Sequence, residues 1–330
     1  MDTPIIDLHA PTRQVAATLA LTQLEHSLAA VSRLGSDDPE SLHDVRVSIK
    51  RLRTLLKTYR HELGKSVNAP RKALGHLMDA SNPGRDAEVQ REWLLAQDAD
   101  RLTMSARAGR ELMLEHFNNQ LNNDIVCDLR YQQRRLREIA ATLEPTLRKK
   151  QTKKSKKKRK KRPHTSTFAG ATRKYLQETY AQLHIDLQVL EQADAVQQQE
   201  ALHRARLSGK RLRYLIEPLE ALDASHTLLI QLKTLQDALG HMHDVYVLQQ
   251  TIHKQLEQTT ATWAKSLLET DSDPRPALCY DLAALARYVA AQLHSAVQDL
   301  QKVWHDEKTL FEVGFVRLEH DLATVTLVDT

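Results

Sequence analysis

Two stretches of the chain place histidine, arginine and lysine at helical spacing, a combination suited to holding anions. Residues 42–63 read LHDVRVSIKRLRTLLKTYRHEL, and residues 202–222 read LHRARLSGKRLRYLIEPLEAL. Each begins Leu-His, has an arginine three residues after the histidine, and then spells Ser-x-Lys-Arg-Leu-Arg. Arginine makes bidentate contacts with phosphate oxygens, lysine supplies a mobile point charge, and histidine gains charge below neutral pH. The repeated pattern therefore predicts two anion-binding helices.

The first stretch, drawn as a helix at about 100° per residue, separates its apolar and basic residues onto different faces. The apolar residues form an ordinary core-facing stripe: Val45, Ile49, Leu52, Leu56 and Tyr59. The basic residues follow one another at spacings of three or four, with no acid between them on that face: His43, Arg46, Lys50, Arg53, Lys57 and Arg60.

The second stretch repeats this design with one change. Its core-facing residues are Leu212, Leu215, Ile216 and Leu219, and its basic residues are His203, Arg206, Lys210 and Arg213. Glu217 stands where the first stretch has Lys57, so the second row of bases is shorter.

Like charges at these spacings destabilise a helix by roughly a few tenths of a kcal/mol per pair. A purely basic face that occurs twice therefore favours a binding role. The alternative is structural: acidic residues on neighbouring helices neutralise the bases within the fold. Asp86 and Asp244, which occupy matched positions in the two halves, are candidates for that role.

The spacing of the bases also indicates the kind of anion. An isolated phosphate needs two or three bases, whereas bases that recur about once per helical turn suit a linear polyanion with closely spaced charges. Two such helices that face each other across a cleft would hold the polyanion from two sides.

The repeat predicts two related halves, residues 1–147 and 168–330, joined by a Lys/Arg-rich linker at 148–167. Within this linker, residues 148–162 contain 12 lysines and arginines, and we expect the linker to be disordered because it cannot bury a core and repels itself. The halves match beyond the basic helices, since Asp86 pairs with Asp244 and Val89 with Val247.

Good helix formers dominate the composition, and only 9 glycines, 10 prolines and 5% aromatic residues are present, so we predict an all-α protein. Short connections favour bundle packing. The predicted helices are 12–33, 39–63, a broken region at 70–99, and 105–143, then 168–190, 195–222, an interrupted 226–268, and 276–303. Asp38 is expected to cap the second helix before Pro39, and SNPGRD at 81–86 is expected to form a turn.

Charge and hydropathy indicate how a basic site can arise and in which compartment the protein is expected. Without the 12 bases of the lysine-rich run, 35 basic residues face 42 acidic ones, so a basic site must come from the placement of charge. The N-terminus does not look like a signal peptide, no apolar run has membrane-spanning length, and the two cysteines are far apart. We therefore expect a cytoplasmic protein without membrane association.

The string His-x-x-Arg-x-x-x-Lys-Arg-Leu-Arg, present twice, resembles the CHAD domain, the conserved histidine α-helical domain. The similarity runs from about Val15 to past Trp304, with the lysine-rich run as an insertion. It implies two four-helix bundles with pseudo-twofold symmetry and a basic cleft between them. It also implies non-catalytic binding of inorganic polyphosphate at polyphosphate granules. The binding residues that it implies are His43, Arg46, Lys50, Arg51, Arg53, Lys57, His203, Arg206, Lys210, Arg211 and Arg213.

Three departures from a symmetric repeat affect the second half. Glu217 replaces Lys57, His243 stands where the first half has Arg85, and Gly209 lies inside the second basic helix. A glycine there costs up to about 1 kcal/mol unless it allows close packing. The second basic row is therefore expected to bind more weakly.

Two other functions are weighed against polyphosphate binding. An enzyme is not expected, because His241 and His243 would point apart on a helix and no phosphate-binding loop or nucleophile motif is present. A nucleic-acid-binding protein that uses the Lys-rich linker and the basic helices is the main alternative, with weak non-specific contacts through residues 148–162. No aromatic residues interleave with that run to stack bases. A granule scaffold that recruits other proteins is a further alternative. No cofactor or metal is expected, and the oligomeric state stays open.

Overall fold

The computed structural model describes residues 6–33, 41–80, 82–124, 129–152, 167–189, 195–269 and 276–327. These residues form helices and contain no β-strand, which confirms the all-α prediction. An isolated bridge pairs Pro11 with Thr167. None of the described helices is both long and apolar enough to cross a membrane.

The helices are numbered in chain order. The first half of the sequence contains α1 (Thr12–Ser32), α2 (Ser41–Thr58), α3 (Arg60–Leu63), α4 (Asn68–Ala80), α5 (Asn82–Leu95), α6 (Met104–Asp124) and α7 (Leu129–Thr152). The second half contains α8 (Phe168–Gln188), α9 (Ala195–Ile216), α10 (Asp223–Glu269) and α11 (Pro276–Leu327). Short 3₁₀ segments follow α3 and α9, at Lys65–Val67 and Glu217–Leu219.

The predicted interruption of the third helix in the second half was wrong. Helix α10 continues through Gly240 for 47 residues. Buried residues recur at spacings of three or four on both sides of the glycine: Leu232, Leu235, Leu239, Met242, Val245 and Leu248. This continuous apolar stripe outweighs the cost of about 1 kcal/mol that one interior glycine imposes on a helix.

Three other predicted boundaries also needed correction. Asn82 begins α5, so Pro83 lies in the first turn of a helix, where proline is tolerated, and the turn predicted for 81–86 was wrong. The region predicted as one helix at 105–143 forms α6 and α7. Helix α11 extends to Leu327, well past residue 303, because buried aromatic residues such as Phe311 and Phe315 continue its apolar stripe. The predicted cap at Asp38 lies outside the described residues.

The start of the predicted linker at residue 148 was also wrong, because α7 continues to Thr152. Arg148 forms an ion pair with Glu144 one turn earlier, with a nitrogen–oxygen distance of 2.8 Å, and the side-chain amide of Gln151 donates to Thr18 Oγ1 of α1 at 3.1 Å. These contacts hold the first residues of the lysine-rich run in a helix. Residues 153–166, which contain the rest of the run, lie outside the described part of the chain.

The chain forms two compact units, each built from both halves of the sequence. The first comprises Met1–Ser81, Asp128–Gln236 and Asp306–Thr330, and the second comprises Asn82–Cys127 and Asp237–His305. The second unit has its own apolar core, with Phe117, Met113 and Ile252 fully buried. Pseudo-twofold symmetry between two four-helix bundles stays a prediction.

The first unit joins the two halves through a buried aromatic cluster. The ring of Tyr59 packs 5.6 Å from that of Phe168 and edge-on at 5.5 Å from that of Tyr175, measured between ring centroids. The hydroxyl groups of Tyr59 and Thr172 share a buried hydrogen bond of 2.8 Å. The C-terminal end of α2 is thereby fixed against α8.

Candidate functional site: a cationic cavity between the two repeat helices

Both basic stretches form helices of the first unit, and these helices, α2 and α9, pack against each other. The apolar stripes predicted from the sequence are confirmed as core. Val45, Ile49, Leu52 and Leu56 of α2, and Tyr59 directly after it, are at most 2% exposed, and Leu212, Leu215, Ile216 and Leu219 are at most 1% exposed. Because these stripes are buried, the direction of the basic side chains is fixed by the packing.

A cavity of about 400 Å³ lies where α2 meets α9, and we call it the cationic cavity. Seven basic side chains line it: Lys50, Arg53, Lys57, Arg71, Arg206, Lys210 and Arg211. Its other lining residues are Thr54, Leu207, Ser208 and Tyr214. None of the described residues that line it is acidic. The fold thus gathers bases from both repeats around one space.

Two residues of α4 contribute to this cavity although the repeat gave no sign of them. Arg71 supplies one of the seven bases. Gly75 leaves room for Arg53, because a Cβ atom at residue 75 would be only 2.9 Å from an Nη atom of Arg53. No pattern within α4 distinguishes Arg71 from other surface arginines, so only the packing of α4 beside α2 reveals it.

The bases of the cavity repel one another, and this affects Lys57. Partial burial lowers the pKa of Lys57 from its ordinary value, and the charges of Arg211, Arg71, Arg53 and Arg60 lower it further. One of these neighbours lies on α9, another on α4, and Arg60 begins α3. The mutual repulsion of these bases is unfavourable, and a bound anion would relieve it.

Arg211 is a half-buried base that lines the cavity. Burial lowers the pKa of its guanidinium group, Glu178 and Tyr175 oppose this change, and Arg60 adds to it. Its Nε atom is buried and has no hydrogen-bond partner among the described residues. A buried donor without a partner is rare in proteins, and here it belongs to a cation beside the cavity.

Two of the predicted binding residues are held elsewhere. Glu217 Oε1 accepts hydrogen bonds from Arg51 Nη2 and from Arg213 Nε, each at 2.9 Å, and Glu217 Oε2 lies 2.9 Å from Arg51 Nε in the same ion pair. We call these three residues the Glu217 clamp. It joins the two halves of the sequence, and neither of its arginines lines the cationic cavity.

The clamp breaks the symmetry between the two repeats. Arg53 and Arg213 occupy equivalent positions, as do Arg51 and Arg211, yet only Arg53 and Arg211 line the cationic cavity. Glu217 is thus the partner that holds two arginines in place, as well as the residue that shortens the second basic row. The structural alternative holds in part, because this carboxylate neutralises two of the predicted bases.

The remaining predicted residues do not line the cavity. His43 and His203 are exposed, whereas Arg46 is buried, with 8% of its surface accessible. Asp86 and Asp244, the acids considered as neutralising partners, belong to the second unit. The side-chain amide of Gln236 of α10 donates to the carbonyl of Gly209 at 2.8 Å, and a Cβ atom at residue 209 would be 3.8 Å from Gln236 Cγ, so the packing there does not require glycine. In the described part of the chain, no group of three or more His, Cys, Asp or Glu side chains is placed to hold a metal ion.

Comparison with known proteins agrees with this architecture. The chain is similar to the crystal structure of the CHAD domain from the plant Ricinus communis, with 20% sequence identity and a TM-score of 0.60 over 89% of this chain and 95% of that one. It is also similar to PptA from Streptomyces chartreusis, with 18% identity and a TM-score of 0.65 over 90% of this chain and all of that one. At these identities the likeness shows a shared fold. A search of curated proteins found no match.

The decisive comparison is with models of protein families. The CHAD domain model matches residues 16–253, which is more than half of the chain, and it spans both basic helices and the run between them. The resemblance noted from the repeated motif is confirmed, and the chain belongs to the CHAD domain family.

Proposed function

We propose that this protein binds inorganic polyphosphate in the cationic cavity and does not convert it chemically. The observation that carries the proposal is the convergence of seven bases from both repeat helices and α4 on one cavity whose described lining contains no acid. Linear polyphosphate carries closely spaced negative charges, so several phosphates of one chain would contact several of these bases together. Charge-assisted contacts of this kind are stronger than neutral hydrogen bonds.

The electrostatics of the cationic cavity support an anion as its ligand. The charges of neighbouring arginines contribute to the lowered pKa of Lys57, and the Nε atom of Arg211 is a buried donor without a hydrogen-bond partner among the described residues. A bound phosphate chain would supply the missing negative charge and acceptor atoms. The family resemblance further implies residence at polyphosphate granules, and the proposal includes that location.

The test is a titration of the whole protein with long-chain polyphosphate and, separately, with single-stranded oligo(dT) at equal phosphate concentration and moderate salt. We expect tighter binding of polyphosphate, because the cavity offers cations without a platform for stacking bases. The variants Lys50→Gln and Lys210→Gln, one from each repeat, should each weaken polyphosphate binding about tenfold or more, since a hydrogen bond to a charged group contributes roughly 1.5–3 kcal/mol.

Arg134→Gln is the matched control, because Arg134 is an exposed base of α7 that neither lines the cationic cavity nor belongs to the Glu217 clamp. It should leave polyphosphate affinity unchanged. Unchanged binding in the Lys50→Gln and Lys210→Gln variants, together with a lower melting temperature, would show that these lysines serve the fold and would refute the proposal. In cells that contain polyphosphate granules, a fluorescent fusion of this protein should localise to the granules. The same fusion with both Lys50→Gln and Lys210→Gln should be distributed throughout the cell instead.

A further inference from the structure

The Glu217 clamp lies at the edge of a second cavity in the first unit, with a volume of about 560 Å³. Arg51, Arg213 and Glu217 line it, together with Lys233 and His226 of α10. Tyr214 of α9 lines both this cavity and the cationic cavity, so a single side chain borders the two spaces. The guanidinium group of Arg51 also lies over the ring of Tyr214, 5.8 Å from its centroid.

The geometry of the clamp is that of an anion site with an occupant. Two guanidinium groups each donate a 2.9 Å hydrogen bond to Glu217 Oε1, and both form ion pairs with this carboxylate. Planar guanidinium groups bind carboxylate and phosphate oxygens in the same bidentate manner. Glu217 therefore fills the position that a phosphate group would take between these two arginines.

We infer that Arg51 and Arg213 form a second phosphate subsite, next to the cationic cavity at Tyr214, which Glu217 keeps occupied by its own carboxylate. This inference rests on the proposed function. In the native protein the internal carboxylate confines the polyphosphate chain to the cationic cavity. Glu217 thereby limits how many phosphates the protein engages and how tightly it holds them.

Charge and burial explain why the carboxylate is an effective occupant. The side chain of Glu217 is 22% exposed, and those of Arg51 and Arg213 are 33% and 38% exposed, so the pairs are partly shielded from water. Because Glu217 is tethered beside the arginines, an incoming phosphate must displace a group that is already in place. It would also meet repulsion from the carboxylate.

The test compares long-chain polyphosphate binding by the native protein and by the Glu217→Gln variant. Glutamine keeps the shape of the side chain and removes its charge. We expect the variant to bind about tenfold more tightly, although its melting temperature should fall because the clamp is lost. The dependence of log K on log salt should steepen, by up to about 1.4 if two more phosphates are engaged with the coefficient of single-stranded nucleic acid.

Tighter binding in a less stable variant distinguishes an occupied subsite from a structural ion pair, whose loss would weaken binding or leave it unchanged. Adding Arg213→Gln to Glu217→Gln should return the affinity to that of the native protein. Glu217→Lys, which places in the second repeat the residue type that the first repeat has at Lys57, provides an independent variant and should also bind more tightly.

Glu200→Gln is the charge-matched control. Glu200 also lies on α9 and pairs with Arg204, but it lines neither cavity, and Asp186 still holds Arg204. Its affinity should equal that of the native protein. The inference would be overturned if the native protein bound polyphosphate but neither Glu217 variant bound it more tightly. It would also be overturned if Glu200→Gln gained as much affinity as the Glu217 variants. Either result would leave the proposed function intact. Absence of binding in the native protein would reject the proposed function itself.

Discussion

The guanidinium group of Arg53 lies where a side chain at residue 75 would begin, since a Cβ atom on Gly75 would be 2.9 Å from an Nη atom of Arg53. Gly75→Ala should therefore push this flexible group out of its place in the cationic cavity. We expect weaker polyphosphate binding without loss of stability, because alanine favours a helix by about 1 kcal/mol over glycine. Titration and thermal melting of the same variant measure the two effects.

Gly209→Ala is the control for this change. A Cβ atom there would be 3.8 Å from Gln236 Cγ, which is an ordinary contact, so the variant should gain stability and keep its affinity. If Gly75→Ala bound polyphosphate as the native protein does, the position of Arg53 would not matter for binding.

The two repeats make opposite predictions for arginines at equivalent positions. Arg53→Gln should weaken polyphosphate binding about tenfold, because it removes a base from the cavity. Arg213→Gln, 160 residues later, should leave the affinity nearly unchanged and lower the melting temperature, because Glu217 loses one of its two partners. Arg211→Gln and Arg51→Gln should differ in the same way. If Arg213→Gln weakened binding and Arg53→Gln only lowered the melting temperature, the arrangement of the two cavities would be contradicted.

Lys57 should give the protein a pH-dependent stability. Its pKa in the folded state lies below the ordinary value of 10.5, so between these two values the unfolded chain binds more protons than the folded one. The charged lysine therefore destabilises the fold at neutral pH, and this penalty decreases as the pH rises towards 10.5.

Lys57→Met should be more stable than the native protein at neutral pH, and the difference should shrink as the medium becomes alkaline. Denaturant titrations of both proteins over this pH range measure the effect. The same variant should bind polyphosphate less tightly, since it lacks one cavity base. A stability difference that is independent of pH would mean that the change acts through packing alone.

The lysine-rich run can be tested without disturbing α7. Replacing the bases at 153–162 with neutral residues keeps Arg148 and Gln151 in their helical contacts. We expect binding of oligo(dT) to fall more than binding of polyphosphate, because a run of charges attracts any polyanion through counterion release, whereas the cavity bases are held in place by the fold.

Anisotropy titrations of both ligands against the native and neutralised proteins make this comparison. Loss of polyphosphate binding in the neutralised protein, with oligo(dT) binding retained, would place the polyphosphate site on the run instead of in the cavity.

Much of the local structure follows from the sequence because it depends on periodicity. The spacing of Ile49, Leu52 and Leu56 predicted a buried stripe, and with it the face on which the bases lie. Helix boundaries were less predictable where a local signal competed with packing. The sequence predicted an interruption within 226–268 and a turn at 81–86. The apolar residues buried on both sides of Gly240, and the position of Pro83 in a first helical turn, favoured helix at both places.

The sequence by itself determined the repeat, the all-α fold and the presence of two basic helices, because these depend on residue types at fixed spacing along one chain. Only the tertiary structure decided which bases share a cavity. Arg53 and Arg213 occupy equivalent positions, but Glu217, four residues after Arg213, pairs with that arginine, whereas Gly75 of α4 leaves room for Arg53 beside the cavity. Arg71 of α4 lines the cavity because α4 packs beside α2, and such contacts between distant segments depend on how the helices pack.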